Sequence, residues 1–336
     1  MKRFFAFGCS YTNYAWPTWA NLLSTNYDEF YNWGLAGLGN RAIAERVAEA
    51  NVKHGFTKDD LIIVQWSSHL RNDWWHKYSC SDRPYQWKTG GSIFNYINER
   101  IYDDKWVELF FYEPAYFMHT LNHIALTQGL LKSIGCEWYM TSMGDIRNLG
   151  ADLRNHADYG ELGHIPTPGD VNVDMLAWKK IPELSIYNKP IWEDNQDHWL
   201  MPMETHAQLH KEHTYKYIDD GRGGTKQFTD DFHPTPRQHA LWIESQLADR
   251  LNLSKETMDF AYSVAEKVDD HFNKFKFSKM QFTEKLFSSD FFEKKYDSGI
   301  DEINLDKFEN FRPGVYVLNI VYKGKPFSSN LIKDAE

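Results

Sequence analysis

Short apolar runs alternate with segments of helical periodicity along much of the chain, and this alternation constrains the fold more than any other feature. Four apolar runs are predicted as strands, at residues 3–8, 28–34, 59–66 and 136–144. Helical segments separate them, and the clearest of these span residues 39–55 and 115–135. Such alternation predicts a parallel sheet with helices on both faces. We therefore expect an α/β fold with three layers, α/β/α.

The helix predictions depend on residues that start and stop helices. Asn40 is a candidate N-cap for the helix that Gly55 ends, since Asn accepts backbone hydrogen bonds at helix starts and Gly adopts the left-handed conformation at helix ends. A later helix is predicted over residues 233–251, with Thr235 as its cap and Pro236 at its first position.

Two segments interrupt the alternation, at residues 67–110 and 145–229, and both are polar and rich in Trp, Tyr and His. Loops of this length are usually functional. Beyond residue 252 the pattern changes to one amphipathic helix and two β runs around a Lys-Gly turn, which predict a β-hairpin. We expect a main domain over residues 1–252 and an appended C-terminal module over residues 253–336.

Composition excludes several classes of protein. The chain has 336 residues, a net charge of −10 and a pI of about 5.8, so a broad nucleic-acid-binding surface is not expected. Its three cysteines, Cys9, Cys80 and Cys136, show no metal or disulfide spacing. The N-terminal apolar run is too short for a signal peptide, and no window is long and apolar enough for a membrane span. No cofactor is expected.

A candidate nucleophile follows the first strand directly. Ser10 occupies the carboxyl edge of that strand, where ligands bind in open α/β sheets. A serine hydroxyl needs a base to accept its proton and an acid to orient that base. The segment TDDFHPTPRQH supplies His233 and, three residues earlier, Asp230, whose carboxylate can reach the imidazole within one turn. Asp231 is the alternative partner.

Hydrolysis of an ester also needs donors for the developing oxyanion. The segment NWGLAGLGN supplies Gly37, whose missing side chain lets its backbone N–H approach a substrate closely.

These segments resemble the four sequence blocks of the SGNH (GDSL-like) hydrolase family. FGCSYT, NWGLAGLGN, IIVQWSS and DDFHP occur in the order of that family, within residues 1–252. The resemblance implies a flavodoxin-like fold, with Ser10 as the nucleophile, His233 as the base and Asp230 as its partner. It also implies that the backbone N–H groups of Ser10 and Gly37 form part of the oxyanion hole.

The sequence departs from the family pattern in two blocks. Cys9 precedes the serine where the family usually has Asp. The third block usually supplies an Asn side chain as a third oxyanion donor, and the corresponding residues here are Ser67 and Ser68. Ser68 is the predicted donor, with Ser67 as the alternative.

Several side chains are candidates for substrate contacts. Trp74 and Trp199, together with Trp75, are candidate platforms for sugar rings, although they would equally serve as lids over the sheet edge. Arg71 follows the third strand, where substrate-orienting residues often occur. Asn40 is a candidate substrate contact as well as a candidate cap.

A metal site is the competing hypothesis for the chemistry. His206, His210 and His213 are spaced at i, i+4 and i+7, which would place them on one face of a helix, where imidazoles can share a metal. With fourteen histidines in the chain, such spacing also arises by chance, and no carboxylate completes a familiar signature.

The sequence therefore predicts a serine esterase that removes O-acyl (acetyl) groups from a glycan or small ester. The alternative is an SGNH-like structural or glycan-binding protein that has lost catalysis. The resemblance extends to phage-encoded members of the family, so we expect a protein that stays in the cytoplasm or is carried on a virion. Residues 253–336 are then candidates for virion or homo-oligomer contacts. Neither nucleic acid nor membrane is an expected partner.

Overall fold

A computed structural model of the chain describes residues 2–14, 16–77, 85–92, 104–146, 182–219, 227–230, 233–275, 314–322 and 325–333. Its strands are β1 (Arg3–Phe7), β2 (Glu29–Asn32), β3 (Leu61–Trp66), β4 (Arg71–Lys77), β5 (Tyr85–Ser92), β6 (Glu137–Ser142), β7 (Lys216–Asp219), β8 (Gln227–Asp230), β9 (Gly314–Tyr322) and β10 (Lys325–Lys333). Its α-helices are α1 (Trp19–Leu23), α2 (Asn40–His54), α3 (Asp104–Phe110), α4 (Glu113–Ile134), α5 (Pro182–Ser185), α6 (Asn188–Ile191), α7 (Met203–Leu209), α8 (Pro236–Gln246) and α9 (Lys255–Phe275).

The central element is a parallel four-stranded sheet flanked by helices, with strand order β2-β1-β3-β6. In the β1–β2 pair, Phe4 lies beside Phe30 and Phe5 beside Tyr31. All six residues of β3 are buried, as expected for a strand covered on both faces. The predicted mixed α/β fold with a parallel sheet is confirmed.

The helix boundaries confirm most of the predicted caps and correct one. Gly55 ends α2 in the left-handed conformation, with φ +59°, and the Thr235 side chain accepts a hydrogen bond from the Gln238 N–H at the start of α8. The N-cap of α2, however, is Gly39, and Asn40 is the first helical residue. The prediction of Asn40 as N-cap is therefore wrong, because its side chain is engaged elsewhere.

The two segments that interrupt the alternation contain small sheets of their own. Strands β4 and β5 form an antiparallel hairpin after β3, and β7 and β8 form another before α8. Neither pair belongs to the central sheet. The first hairpin lies in the second of the two units described next.

The chain divides into two compact units. The first unit contains Met1–Ala36, Asp59–Ile62 and His206–Glu336, and the second contains Gly37–Lys58 and Ile63–Thr205. In the first unit, Trp19 and Trp242 pack with ring centroids 5.9 Å apart and are both fully buried. This contact joins α1 to α8.

The second unit has a separate aromatic and aliphatic core. The indole N–H of Trp66, at the end of β3, donates to the sulfur of Met140 on β6 at 3.3 Å. Ile43 on α2 and Leu121 on α4 are fully buried. The predicted oxyanion residues of this unit lie next to these elements, Gly37 before α2 and Ser68 after β3.

The predicted C-terminal module begins with a helix that packs within the first unit. On α9 the Asp269 carboxylate accepts hydrogen bonds from the Tyr215 hydroxyl at 2.6 Å and from the Arg237 guanidinium at 2.7 Å. Strands β9 and β10 form the predicted antiparallel hairpin. In the described part of the chain, no helix is both long and apolar enough to cross a membrane.

Candidate active site

Ser10 and His233 meet in the first unit although they lie 223 positions apart in the chain. The Ser10 Oγ is 3.0 Å from the His233 Nε2, which is within hydrogen-bonding distance. With the ring hydrogen on Nδ1, the Nε2 accepts the Ser10 O–H hydrogen. This is the arrangement that a serine nucleophile and its base require.

A tight turn presents Ser10 at the end of β1. The Cys9 carbonyl accepts hydrogen bonds from the N–H groups of Thr12 at 3.0 Å and Asn13 at 3.1 Å, so the chain forms one helix-like turn. The Ser10 N–H, at the start of this turn, donates to no acceptor among the described residues. Cys9 is fully buried.

The segment after β2 supports this turn from the neighbouring strand. The Asn32 side chain donates to the Thr12 carbonyl at 3.0 Å, and the Asn13 side chain donates to the Gly34 carbonyl at 3.0 Å. A Cβ at position 34 would lie 2.9 Å from the Thr12 side chain, too close for any residue except glycine. The Asn-x-Gly of NWG thus fits against the Ser10 turn.

Aromatic side chains hold the His233 ring in place. The ring stacks on Tyr14, with centroids 3.8 Å apart and planes at 14°, and it contacts the edge of Tyr11 at 5.4 Å. The Trp16 indole N–H donates to the Pro234 carbonyl at 2.8 Å. The Thr235 cap then fixes the start of α8. The stacked ring thus restrains the face of the imidazole, and the hydrogen bonds at Pro234 and Thr235 restrain the backbone that follows His233.

The predicted partner of His233 is only partly described. Asp230 is the last residue of β8. Its side chain, like the whole of Asp231, lies outside the described residues, so the choice between Asp230 and Asp231 stays a prediction.

The predicted oxyanion residue Gly37 begins a turn in the second unit. Its φ is +82°, a conformation that strongly favours glycine, and its N–H donates to no acceptor within the described part of the chain. The next carbonyl, that of Leu38, accepts hydrogen bonds from the Ser67 hydroxyl at 2.7 Å and the Arg71 guanidinium at 3.1 Å. Arg71, predicted to orient substrate, thus contacts this turn.

The two serines of the third block have different environments. Ser67 is buried, and its only hydroxyl hydrogen is directed to the Leu38 carbonyl. The half-buried Ser68 accepts the Leu70 N–H at 3.1 Å, and its hydroxyl hydrogen has no acceptor among the described residues. Ser68 therefore fits the predicted donor role better than Ser67. The role itself stays a prediction.

The Asn40 side chain ties α2 to the end of β3. Its carbonyl oxygen accepts the Ser67 N–H at 2.7 Å, and its amide donates to the Ser67 carbonyl at 3.0 Å and the Thr120 hydroxyl at 3.1 Å. Asn40 is buried. Its side chain is thus engaged in fixing the second and third blocks relative to each other.

The candidate sugar platforms differ in exposure. Trp75 is 54% exposed and packs edge-on against its cross-strand neighbour Trp87, with centroids 5.6 Å apart. Trp74 is half-buried. Trp199 is also half-buried, and its indole N–H donates to the Ile191 carbonyl at 2.8 Å. Trp75 offers the largest accessible ring surface of the three predicted tryptophans, and a sugar contact stays a prediction for each.

The three histidines of the competing metal hypothesis do not share one helix face. Helix α7 ends at Leu209, and a separate 3₁₀ turn covers Lys211–His213. His206 is directed to the Ser245 hydroxyl at 3.1 Å. Within the residues that the structure describes, no group of three or more His, Cys, Asp or Glu side chains is arranged to hold a metal ion. The predicted i, i+4, i+7 helical face is therefore wrong.

Two buried histidines lie behind the site. Burial, and then the nearby His233 and His206, lower the pKa of His239 to about 3. Burial, and then His210, lower the pKa of His206 to about 4. Among the described residues, neither ring nitrogen of His239 has a hydrogen-bond partner. Both side chains are neutral at pH 7, so neither adds positive charge beside His233.

Sequence reasoning missed the side chains that position the site. Tyr14 and Trp16 lie six residues or fewer after Ser10, and their position next to the nucleophile was the available signal. Asp73 lies in the polar, aromatic segment after β3, and its side chain accepts the Gly39 N–H. No pattern in that segment distinguishes this carboxylate from the others.

No protein-family model matches the chain, and a search of curated proteins found no match. The functional assignment therefore depends on the residues and distances given above and on the resemblance of the four sequence blocks.

Proposed function

We propose that the protein is a serine ester hydrolase of the SGNH type. The observation that carries this proposal is the 3.0 Å contact between Ser10 Oγ and His233 Nε2 at the carboxyl end of β1. The strand order β2-β1-β3-β6 supports it, because flavodoxin-like sheets begin with the same order and bind ligands at the β1/β3 switch point.

The proposed reaction proceeds in two steps. His233 Nε2 accepts the Ser10 hydroxyl proton while Oγ attacks the ester carbonyl carbon, and the protonated imidazole then gives that proton to the departing alcohol. The product is an acyl-Ser10 ester. His233 next removes a proton from water, whose oxygen attacks the acyl carbon, and the proton returns to Ser10 as the carboxylic acid leaves.

The developing oxyanion needs hydrogen-bond donors. The donors in this proposal are those that the sequence predicts, the N–H groups of Ser10 and Gly37 and the hydroxyl of Ser68. Each has a hydrogen that no acceptor in the described part of the chain occupies. Ser68 would replace the amide donor that the third block of the family usually supplies.

The proposed substrate is an O-acetylated glycan. The exposed Trp75 supports this choice, because the apolar face of a sugar ring packs well on an accessible indole. The acyl group removed stays a prediction from the resemblance.

The experiment that tests the function measures release of p-nitrophenol from its acetate, and of acetate from an O-acetylated polysaccharide. We expect the wild type to hydrolyse both and Ser10→Ala and His233→Ala to lose most activity. Ser133→Ala, which removes a hydroxyl bonded to the Leu130 carbonyl within α4, is the matched control and keeps full activity. Activity persists in chelator, because the nucleophile is a side chain. Activity that chelator abolishes and zinc restores would contradict the proposal.

A further inference from the structure

The Leu38–Gly39 peptide unit is held at both of its polar ends. Its carbonyl oxygen accepts hydrogen bonds from Ser67 Oγ at 2.7 Å and Arg71 Nη1 at 3.1 Å. Its N–H donates to Asp73 Oδ2 at 2.7 Å. A peptide unit with both groups bonded cannot rotate without breaking these contacts.

Asp73 is a notable partner for a backbone N–H. Its side chain is fully buried on β4, and burial of a carboxylate is unfavourable unless it is hydrogen-bonded or paired. Hydrogen bonds to a charged acceptor are about twice as strong as neutral ones. The carboxylate also lies beside Gly39, the N-cap of α2, where the helix dipole stabilises negative charge.

The β4–β5 hairpin approaches the turn closely at two glycines. A Cβ at position 39 would lie 2.7 Å from Asp73 Oδ2 and 3.0 Å from the Arg71 Cβ. On the next strand of the hairpin, the Thr89 side chain lies 3.2 Å from the place of a Cβ on Gly37. The β4–β5 hairpin thus packs directly on the turn that carries Gly37.

Gly37 needs such support more than any other residue of the turn. It precedes the fixed peptide unit, and with no side chain its backbone is freer to rotate than that of other residues. Its N–H has no acceptor among the described residues that would hold it in one direction. The contacts of the neighbouring Leu38–Gly39 peptide and of Thr89 therefore restrict the conformation of Gly37.

We propose that Asp73 is a positioning residue, which fixes the Leu38–Gly39 peptide and thereby holds the preceding Gly37, the proposed oxyanion donor, in its conformation. This inference rests on the proposed esterase function. It assigns the inserted β4–β5 hairpin a part in catalysis through Asp73 and, with it, Arg71. Neither side chain needs to touch the substrate for this effect.

The test compares Asp73→Ala with Asp73→Asn in the full-length protein. The Asn carbonyl can still accept the Gly39 N–H, whereas Ala cannot. Loss of one oxyanion-hole donor lowers kcat by about 10²- to 10³-fold, so we expect Asp73→Ala to lower kcat for p-nitrophenyl acetate within this range while KM changes little. Asp73→Asn recovers most of the loss. An aryl boronic acid forms a tetrahedral adduct with serine that resembles the transition state. We expect its Ki for Asp73→Ala to rise by the same factor by which kcat/KM falls.

A matched control separates positioning from general destabilisation. Like Asp73, Gln128 is a buried side chain of the second unit that bonds a backbone group: its amide donates to the Ile191 carbonyl at 3.0 Å. Gln128→Ala removes this bond. We expect it to lower the Tm and leave kcat and the boronic acid Ki unchanged. If Asp73→Ala does not fold, Arg71→Met removes the guanidinium bond to the Leu38 carbonyl. A fall in kcat then supports positioning, and a rise in KM alone contradicts it.

The outcomes distinguish the inference from the function on which it rests. A wild type that hydrolyses the ester and an Asp73→Ala variant that keeps its kcat and boronic acid Ki would overturn the positioning role alone. An Asp73→Asn variant as impaired as Asp73→Ala would also overturn it, because the hydrogen bond would then not be the cause. A folded wild type without hydrolysis or boronic acid binding would overturn the proposed function and this inference together.

Discussion

The imidazole of His233 lies nearly parallel to the phenol ring of Tyr14, with centroids 3.8 Å apart and an angle of 14° between the planes. This contact covers one face of the base while Nε2 stays 3.0 Å from Ser10 Oγ. Rotation of the imidazole about its own side-chain bonds would break both contacts. The ring is therefore held in the orientation that the proposed proton transfer requires.

Replacement of Tyr14 tests this constraint. Tyr14→Leu removes the stacked ring, and a misplaced base can lower kcat by roughly 10- to 100-fold. Tyr14→Phe keeps the ring and is the control, for which we expect a kcat close to that of the wild type. Steady-state kinetics on p-nitrophenyl acetate measure both. A Tyr14→Leu variant with the kcat of the wild type would show that the stacking has no part in catalysis.

Gly37→Ala tests the conformation of the turn that carries Gly37, the proposed oxyanion donor. At φ +82° an added Cβ is strained, and it would also meet Thr89 at 3.2 Å, so we expect a lower kcat and a loss of roughly 1–2 kcal/mol in stability. The matched control is Gly129→Ala in α4, where a Cβ meets nothing within 4 Å. It keeps activity and raises the Tm, since Ala favours a helix more than Gly does. Equal kcat values for the two variants would contradict the assignment of Gly37.

Ser67 and Ser68 should respond differently to truncation. Ser68→Ala lowers kcat with little change in KM, because the lost bond strengthens mainly in the transition state. Ser68→Asn preserves or raises kcat by restoring a longer donor. Ser67→Ala lowers the Tm, because the Leu38 carbonyl loses a buried hydrogen bond. If neither variant changes kcat in an active enzyme, the third donor lies elsewhere in the chain.

The buried histidines predict loss of stability in acid. His239 and His206 have native pKa values of about 3 and about 4, whereas an unfolded His titrates near 6.5. Between these values the unfolded chain binds more protons, so the free energy of unfolding falls as the pH is lowered from about 6.5, by up to about 1.4 kcal/mol per pH unit for each group. Above about pH 6.5 this contribution is complete.

The measurement is the Tm of wild type and His239→Phe between pH 5 and pH 8. The variant cannot take up this proton on unfolding, so we expect its Tm to fall less in acid than that of the wild type. A His239→Phe variant with the same pH dependence as the wild type would show that His239 is not buried in its neutral form.

The central sheet and the Ser10–His233 contact could be predicted because their signals are local. Apolar runs of strand length mark β1 and β3, and Ser10 directly follows β1. His233 precedes a helix whose cap, Thr235, is itself a strong sequence signal. The order of the four sequence blocks then indicates that Ser10 and His233 belong to one site.

The errors arose where distant residues decide the local structure. Asn40 is a favoured cap residue, but its side chain bonds both backbone groups of Ser67, so the cap is Gly39. Likewise, the Gln238 side chain donates to the carbonyls of Ala207 and His210, at and just beyond the end of α7. No glycine or proline marks that helix end, so periodicity alone extended the helix through His213.

The β4–β5 hairpin could not be predicted for a different reason. Its residues face several environments at once, from the buried Asp73 to the exposed Trp75. The apolar and polar residues therefore do not alternate as they do in a strand with one buried face. Only the packing of the hairpin on the Gly37 turn shows which of its side chains matter.

The most direct test of the proposed function is covalent labelling of Ser10. Native protein is treated with a fluorophosphonate, which phosphonylates an activated serine, and is then analysed by intact mass and peptide mapping, with a known serine hydrolase as a positive control. We expect one adduct per chain, on the peptide that contains Ser10, and none on Ser10→Ala. No adduct on the folded wild type while the positive control reacts, or an equal adduct on Ser10→Ala, would contradict a serine hydrolase mechanism at this site.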